Sequence, residues 1–187
     1  MRVVILGENV LRQKALPVEN IDDDFRLLIN EMFITMQKEN GIGLAGPQIN
    51  DSRRFFTILL DDGVHRVFVN PQIMGTSEKI CVYEEGCLSI PGEYQDITRP
   101  EKVKVQAFDE KGKSFVLDAD GILARAIQHE YDHLNGVLYI DRADEEFREK
   151  VIEKFKRRAQ RRSEKEAAKS AKAKKIAAKK AERIKVD

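Results

Sequence analysis

Two histidines stand four residues apart near the end of "DADGILARAIQHEYDHLNG", residues 118–136, with a glutamate directly after the first. Upstream of them Ile122, Leu123, Ala126 and Ile127 recur at helical spacing on one stripe. The segment therefore reads as a largely buried helix, with Asp118 or Asp120 available to cap its start. No other feature constrains the fold so strongly, because the rest of the chain must pack around a helix that carries polar groups inward. On such a helix His129 and His133 lie one turn apart and face the same way, so their rings can converge on one metal ion. Glu130 can then reach a metal-bound water without ligating the metal. The plainer alternative is a partly buried histidine pair satisfied by hydrogen bonds.

A catalytic ion needs a third protein ligand and an open position. A third histidine three residues after Gly136 would serve, but that position is Tyr139. Glu153 stands about one helix length downstream, yet its neighbours Val151, Ile152 and Phe155 form an apolar face that leaves it on the wet side. Cys87, in the tight "EGCLS" segment, offers a soft thiolate. Its distance in sequence from His129 is too long for a local metal knuckle, so only the fold can join them, and periodicity does not choose between Cys87 and Glu153.

Around this helix the chain reads as a mixture of elements. "DDDFRLLINEMFITMQKEN" carries apolar residues at Phe25, Leu28, Ile29, Met32, Phe33 and Met36, which is helix spacing behind acidic caps. "GIGLAGPQ", residues 41–48, holds too many Gly and Pro for a regular element. "RFFTILL" and "HRVFVNPQI" read as strands around the turn "DDG", and "KVKVQAFDEKGKSFVL" as a hairpin turning at Asp109 to Gly112. "EKICVYEEGCLSIPG" begins as a strand and ends in a Gly- and Pro-rich segment. A last helix begins near Asp144, with Phe147, Val151, Ile152 and Phe155 on its apolar face, and that face fades into Ala and Lys beyond Arg162.

The formal net charge of +1 conceals an asymmetry. Residues 156–187 hold 14 Lys plus Arg against 4 Asp plus Glu, a net of +10, which leaves −9 on the preceding body. Two cysteines make no disulfide framework, and no secretory leader or membrane-length apolar run is evident. A reducing cytoplasm is the expected location, where a free thiolate ligand persists.

Three segments, "GIGLAGPQ", "EGCLS" and "QHEYDHLNG", resemble in that order the three signature motifs of peptide deformylases, and the likeness extends from "VLR" at Leu11 to "YIDR" at Arg142. The resemblance implies an α+β fold, with antiparallel β-sheets packed around a central HExxH helix and followed by the C-terminal helix. It implies a catalytic domain over residues 1–160 and a basic extension over 161–187. The implied activity is metal-dependent removal of the formyl group from the N-terminal formyl-methionine of new proteins, releasing formate. By the same resemblance Cys87, His129 and His133 ligate one divalent ion, iron(II) natively, with zinc, nickel or cobalt as substitutes. Glu130 is the general acid/base for a metal-bound hydroxide, and the Gln48 side chain and the Leu88 N–H stabilise the oxyanion. Gly41, Ile42, Gly43 and Leu44 pair with substrate backbone and wall the methionine pocket, and Arg99 supports the site from behind. A thermolysin-like protease using Glu153, or a non-catalytic metal-stabilised binding module, are the alternatives.

Two positions depart from the family pattern. Gly46 stands where alanine is common, and loss of that methyl is expected to loosen the loop. Tyr94 stands where many members carry a basic residue, which bears on how the peptide beyond methionine is gripped. Glu85 is expected to order its loop, Cys81 to be a buried apolar cysteine, and His65 to lie on a strand or at the surface. The tail has no aromatic residue after Phe155 for base stacking. The tail is expected either to meet phosphate backbone, with ribosomal RNA near the exit of the nascent chain and not DNA as the target, or to be a plain solubilising extension. The other expected partner is the formyl-methionyl nascent peptide itself.

Overall fold

The computed structural model describes residues 1–184, with side chains through residue 170. Helix α1 spans Asp23–Lys38, and the Asp22 carboxylate caps it by accepting from the Phe25 N–H at 2.8 Å. Five strands form an antiparallel sheet: β1 (Gly43–Ala45), β2 (Phe55–Leu59), β3 (His65–Thr76), β6 (Val103–Phe108) and β7 (Ser114–Ala119), in the order β1-β2-β3-β6-β7. Strands β4 (Ile80–Cys87) and β5 (Ile90–Pro100) form a separate antiparallel hairpin. Helix α2 spans Gly121–His133 and α3 spans Glu145–Ile184.

Strand β2 is buried on both faces because alternate side chains meet different helices. Phe55 faces α1, in a cluster with Phe25, Ile29, Met32 and Met36. Phe56 and Ile58 face α2, packing with Ala124, Ala126, Ile127 and the inward residues of β6. A third cluster joins the chain start, the hairpin and the foot of α3 through Leu11, Ile90, Ile97, Tyr139, Val151 and Phe155. Helix α2 thus lies between the large sheet and the β4–β5 hairpin, to which Arg125 ties it by donating to the carbonyls of Cys81 and Ile97 at 2.8 Å.

Several local expectations differ from the structure. The Gly- and Pro-rich segment after Cys87 is the turn into β5, an 11-residue strand. Pro91 and Gly92 sit beside that turn, where a missing ladder donor and a φ of +80° at Gly92 are tolerated. Ile122 is exposed, although it shares the helical period of α2, and Asp120 stands at the N-cap without a side-chain cap bond. Cys81 is half-buried, and its sulfur accepts from Arg125 at 3.3 Å instead of packing against apolar groups. His65 does lie exposed on β3, stacked on Phe33 at 4.2 Å between ring centroids.

At Gly46 the expected slack is not left as open space: a Cβ there would come within 2.7 Å of the Arg53 carbonyl and 2.9 Å of the Phe55 ring, so residues 51–55 pack where a methyl would stand. Helix α3 continues without a break across residues 160 and 161, as its Ala-, Lys- and Glu-rich composition permits. Val151 and Phe155 anchor it, and every described side chain from 156 to 170 is exposed. Of the basic extension, residues 185–187 and the side chains from 171 onward lie outside the described residues.

Candidate active site

His129 and His133 project from the last turns of α2 with ring centroids 5.2 Å apart. The corner of the β4–β5 hairpin brings Cys87 to them, with its sulfur 3.2 Å from the His133 Nε2. One donor atom from each of the three lies within 4.8 Å of the others. Two imidazoles and a thiolate, largely buried and this close, fit a single divalent ion with a position left for water or substrate. Glu153 is elsewhere: it is exposed on α3 and paired with Arg157 at 2.7 Å.

A buried ion network holds this trio. His129 donates from Nδ1 to the Glu85 carboxylate at 2.8 Å, which turns Nε2 toward Cys87. Glu85 also receives two bonds from Arg99, at 2.6 and 2.9 Å, and one from Arg125 at 2.8 Å. Arg99 is 2% exposed and continues to Asp132 at 2.6 Å, which in turn receives a forked pair from Arg142. Burial alone would raise the Glu85 carboxyl, but the bonds from Arg99 and His129 outweigh it and hold the group below the usual carboxylate range. The Tyr139 ring stacks on His129, and its hydroxyl donates to the Glu93 carbonyl at 2.9 Å.

Glu130 stands apart from this network. It is 3% exposed, and its Oε2 has no hydrogen-bond partner among the described residues. Burial pushes its carboxyl up to about 7, where a carboxyl can both accept and return a proton near neutral pH. Gly43 gives this carboxylate its room, since a Cβ there would lie 2.3 Å from the Glu130 Oε1 and displace the side chain. Gln48 is oriented just as tightly. Its Oε1 accepts from the Ala45 N–H at 2.7 Å, which turns its NH₂ toward the Cys87 sulfur at 3.4 Å and the Ser89 hydroxyl at 3.3 Å.

These groups open on a cleft of about 460 Å³. Gly41, Ile42, Gly43, Gln48 and Leu88 line it beside Cys87, His129 and Glu130. Gly41 packs so closely on Leu88 that a Cβ would lie 2.7 Å from its Cδ1. Leu44 does not belong with the cleft-lining residues. It is fully buried in the α1 cluster with Phe25 and Met36, because alternation along β1 turns it away from the cleft. Arg99 reaches the site only through Glu85 and Asp132.

Sequence reasoning missed the parts played by Arg125, Asp132, Tyr139 and Arg142. The signal for two of them was present. Arg125 and Asp132 are charges on a helix read as buried, and buried charges demand partners.

The sequence model of the polypeptide deformylase family matches residues 1–149. A peptide deformylase of Treponema pallidum (strain Nichols) is 46% identical over 155 residues, covering 83% of this chain and 95% of that protein. One from Brucella suis biovar 1 (strain 1330) is 47% identical over 161 residues, covering 84% and 92%. Among solved structures, a peptide deformylase from Synechococcus elongatus in complex with actinonin superimposes with a TM-score of 0.78 at 44% identity, covering 81% of this chain and 85% of that one. One from Legionella pneumophila gives 0.78 at 41% identity, covering 86% and 97%. With a family match over most of its length and relatives this similar nearly end to end, the chain belongs to the peptide deformylase family of enzymes.

Proposed function

We propose that the chain hydrolyses the formyl group from the N-terminal formyl-methionine of newly made proteins. The observation that carries this reading is the unpartnered Glu130 carboxylate beside the Cys87, His129 and His133 donors, facing a cleft that Gln48 and Leu88 also line. Cys87, His129 and His133 would hold a divalent ion, which would supply Lewis acidity toward a water and the formyl oxygen. Glu130 takes the proton from the attacking water and passes it to the methionine nitrogen as the C–N bond breaks. The Gln48 NH₂ and the Leu88 N–H donate to the oxygen that gains negative charge. Gly41, Ile42 and Gly43 align the substrate backbone along the cleft floor. Formate and a free amine leave.

Iron(II) is the proposed native ion, and the Cys-His-His set also accepts zinc, nickel or cobalt. Residues 1–160 are proposed as the catalytic unit and residues 161–187 as an accessory segment that contacts ribosomal RNA. The setting is the cytoplasm, where nascent formyl-methionyl chains emerge. No helix among the described residues is long and apolar enough to cross a membrane.

The test is a substrate comparison with anaerobically prepared iron(II) protein. Formate release from a formyl-Met peptide, with no cleavage of the corresponding N-acetylated peptide, is expected. Cleavage of internal peptide bonds without formate release would overturn the proposal in favour of a protease.

A further inference from the structure

Arg125 carries a hydrogen-bond donor that its surroundings leave empty. The residue is 4% exposed, and its Nη1 donates to the Glu85 carboxylate and the Ile97 carbonyl, both at 2.8 Å. Its Nη2 donates to the Cys81 carbonyl at 2.8 Å and to the Cys81 sulfur at 3.3 Å. Its Nε, equally buried, has no partner among the described residues. In a planar guanidinium the Nε–H and one N–H of Nη2 lie along the same edge. Arg99 presents that edge to both oxygens of Glu85. Arg125 presents it to Cys81 with half of the fork unused, and the Tyr83 ring, 5.3 Å away, covers one face of the guanidinium. A buried donor without an acceptor is costly, and the acceptor missing here is an oxygen beside the sulfur.

The thiol meets the conditions for reaction. Cys81 is half-buried and free, not sealed in the core. It stands directly across the β4–β5 ladder from Arg99, so two guanidiniums lie on its side of the hairpin. Glu85 shares that face but is committed to Arg99, Arg125 and His129. Partly exposed thiols beside arginine are the ones that oxidise. Cys81 is not one of the three metal donors, and the reaction proposed for the cleft makes no use of it.

We propose that Cys81 is a site of reversible oxidation to a sulfenic acid, with the Arg125 Nε–H receiving the added oxygen. The oxidant is a hydroperoxide. The Cys81 sulfur attacks one peroxide oxygen, and the S–O bond forms as the O–O bond breaks. The sulfur gives up two electrons, and the departing oxygen takes the thiol proton and leaves, as water when the oxidant is hydrogen peroxide. The completed fork holds the product in the hairpin and slows a second oxidation. Arg125 also holds Glu85, which orients His129, so the oxidised sulfur and the candidate metal site share one guanidinium.

The test uses zinc-loaded full-length protein, because zinc occupies Cys87 and has no redox chemistry of its own. Brief treatment with hydrogen peroxide in the presence of dimedone, which traps sulfenic acids, is followed by fragment mass spectrometry that separates Cys81 from Cys87. The dimedone adduct is expected at Cys81. Without dimedone, Cys81 should gain the mass of one oxygen, and dithiothreitol should remove it. Arg125→Lys keeps the charge and loses the fork. In it the ratio of sulfenic acid to further-oxidised cysteine at Cys81 should fall by about tenfold. The unsubstituted chain unfolded in urea loses the fork without any substitution, and it should show a similar fall. Oxygen and adduct confined to Cys87 would overturn the site. An equal ratio in the folded protein, the variant and the unfolded chain would overturn the role given to Arg125.

Discussion

Glu85 supports the candidate metal site without being one of its three donors. Its carboxylate fixes which nitrogen of His129 faces Cys87, and Arg99 and Arg125 fix the carboxylate. Glu85→Gln keeps the shape and removes the charge. It should weaken metal affinity by roughly 10- to 100-fold, measured by competition with a chelator, and unchanged affinity would contradict this role. The same residue sets a pH dependence. A carboxyl held below its ordinary value stabilises the fold above that value, near 4.5, and ceases to as pH falls through its lower folded value. Denaturant midpoints of the unsubstituted protein should therefore fall more steeply below about pH 4.5 than those of Glu85→Gln. His129, Glu130 and His133 were legible in the sequence because a helical period is local. The part played by Glu85 was legible only as that of a loop-ordering acid, because its partners come from β5 and α2 and meet only in three dimensions.

At the scale of elements, the β4–β5 hairpin supplies Cys87 and Glu85, and α2 supplies the histidines. Arg99 joins the two through Glu85 and Asp132 from a fully enclosed position. Arg99→Ala removes the guanidinium that two buried carboxylates share, leaving Glu85 to Arg125 and His129 and Asp132 to Arg142, and should cost about 3–5 kcal/mol, read from chemical denaturation. A loss below 1 kcal/mol would mean that the network does not join these elements. Gly46→Ala tests the short 3-10 turn that carries Gln48. Its methyl meets the Arg53 carbonyl and the Phe55 ring, and overpacking of this kind costs about 1–3 kcal/mol. A neutral effect would show that the 51–53 segment gives way readily. Helix α1, strands β2 and β3 and the β6–β7 hairpin were readable from period and turn residues. Strand β5 was not, because Pro91 and Gly92 read as breakers, and only its pairing along the whole length of β4 keeps it extended.

Across the whole molecule, an acidic body carries a basic helix. At about 1.5 Å per residue, α3 is roughly 60 Å long, and its first turns pack on the catalytic body while its later described side chains are all in solvent. Exposed Arg161, Arg162, Lys165 and Lys169 begin the segment proposed to meet ribosomal RNA. Removal of residues 161–187 should lower co-sedimentation with ribosomes and leave turnover of a short neutral formyl peptide nearly unchanged. Binding by the full chain should weaken steeply with salt. Equal ribosome binding by both forms at low salt would contradict the proposal.

In the proposed reaction Cys87, His129 and His133 hold the ion while Glu130 moves the proton. Its most direct test reads metal content and formate release on the same sample of Glu130→Gln. The expected result is one ion per chain, as in the unsubstituted protein, with formate release from a formyl-Met peptide lower by about 10²- to 10⁴-fold. Full activity in the metal-loaded variant, or loss of the ion together with activity, would contradict it.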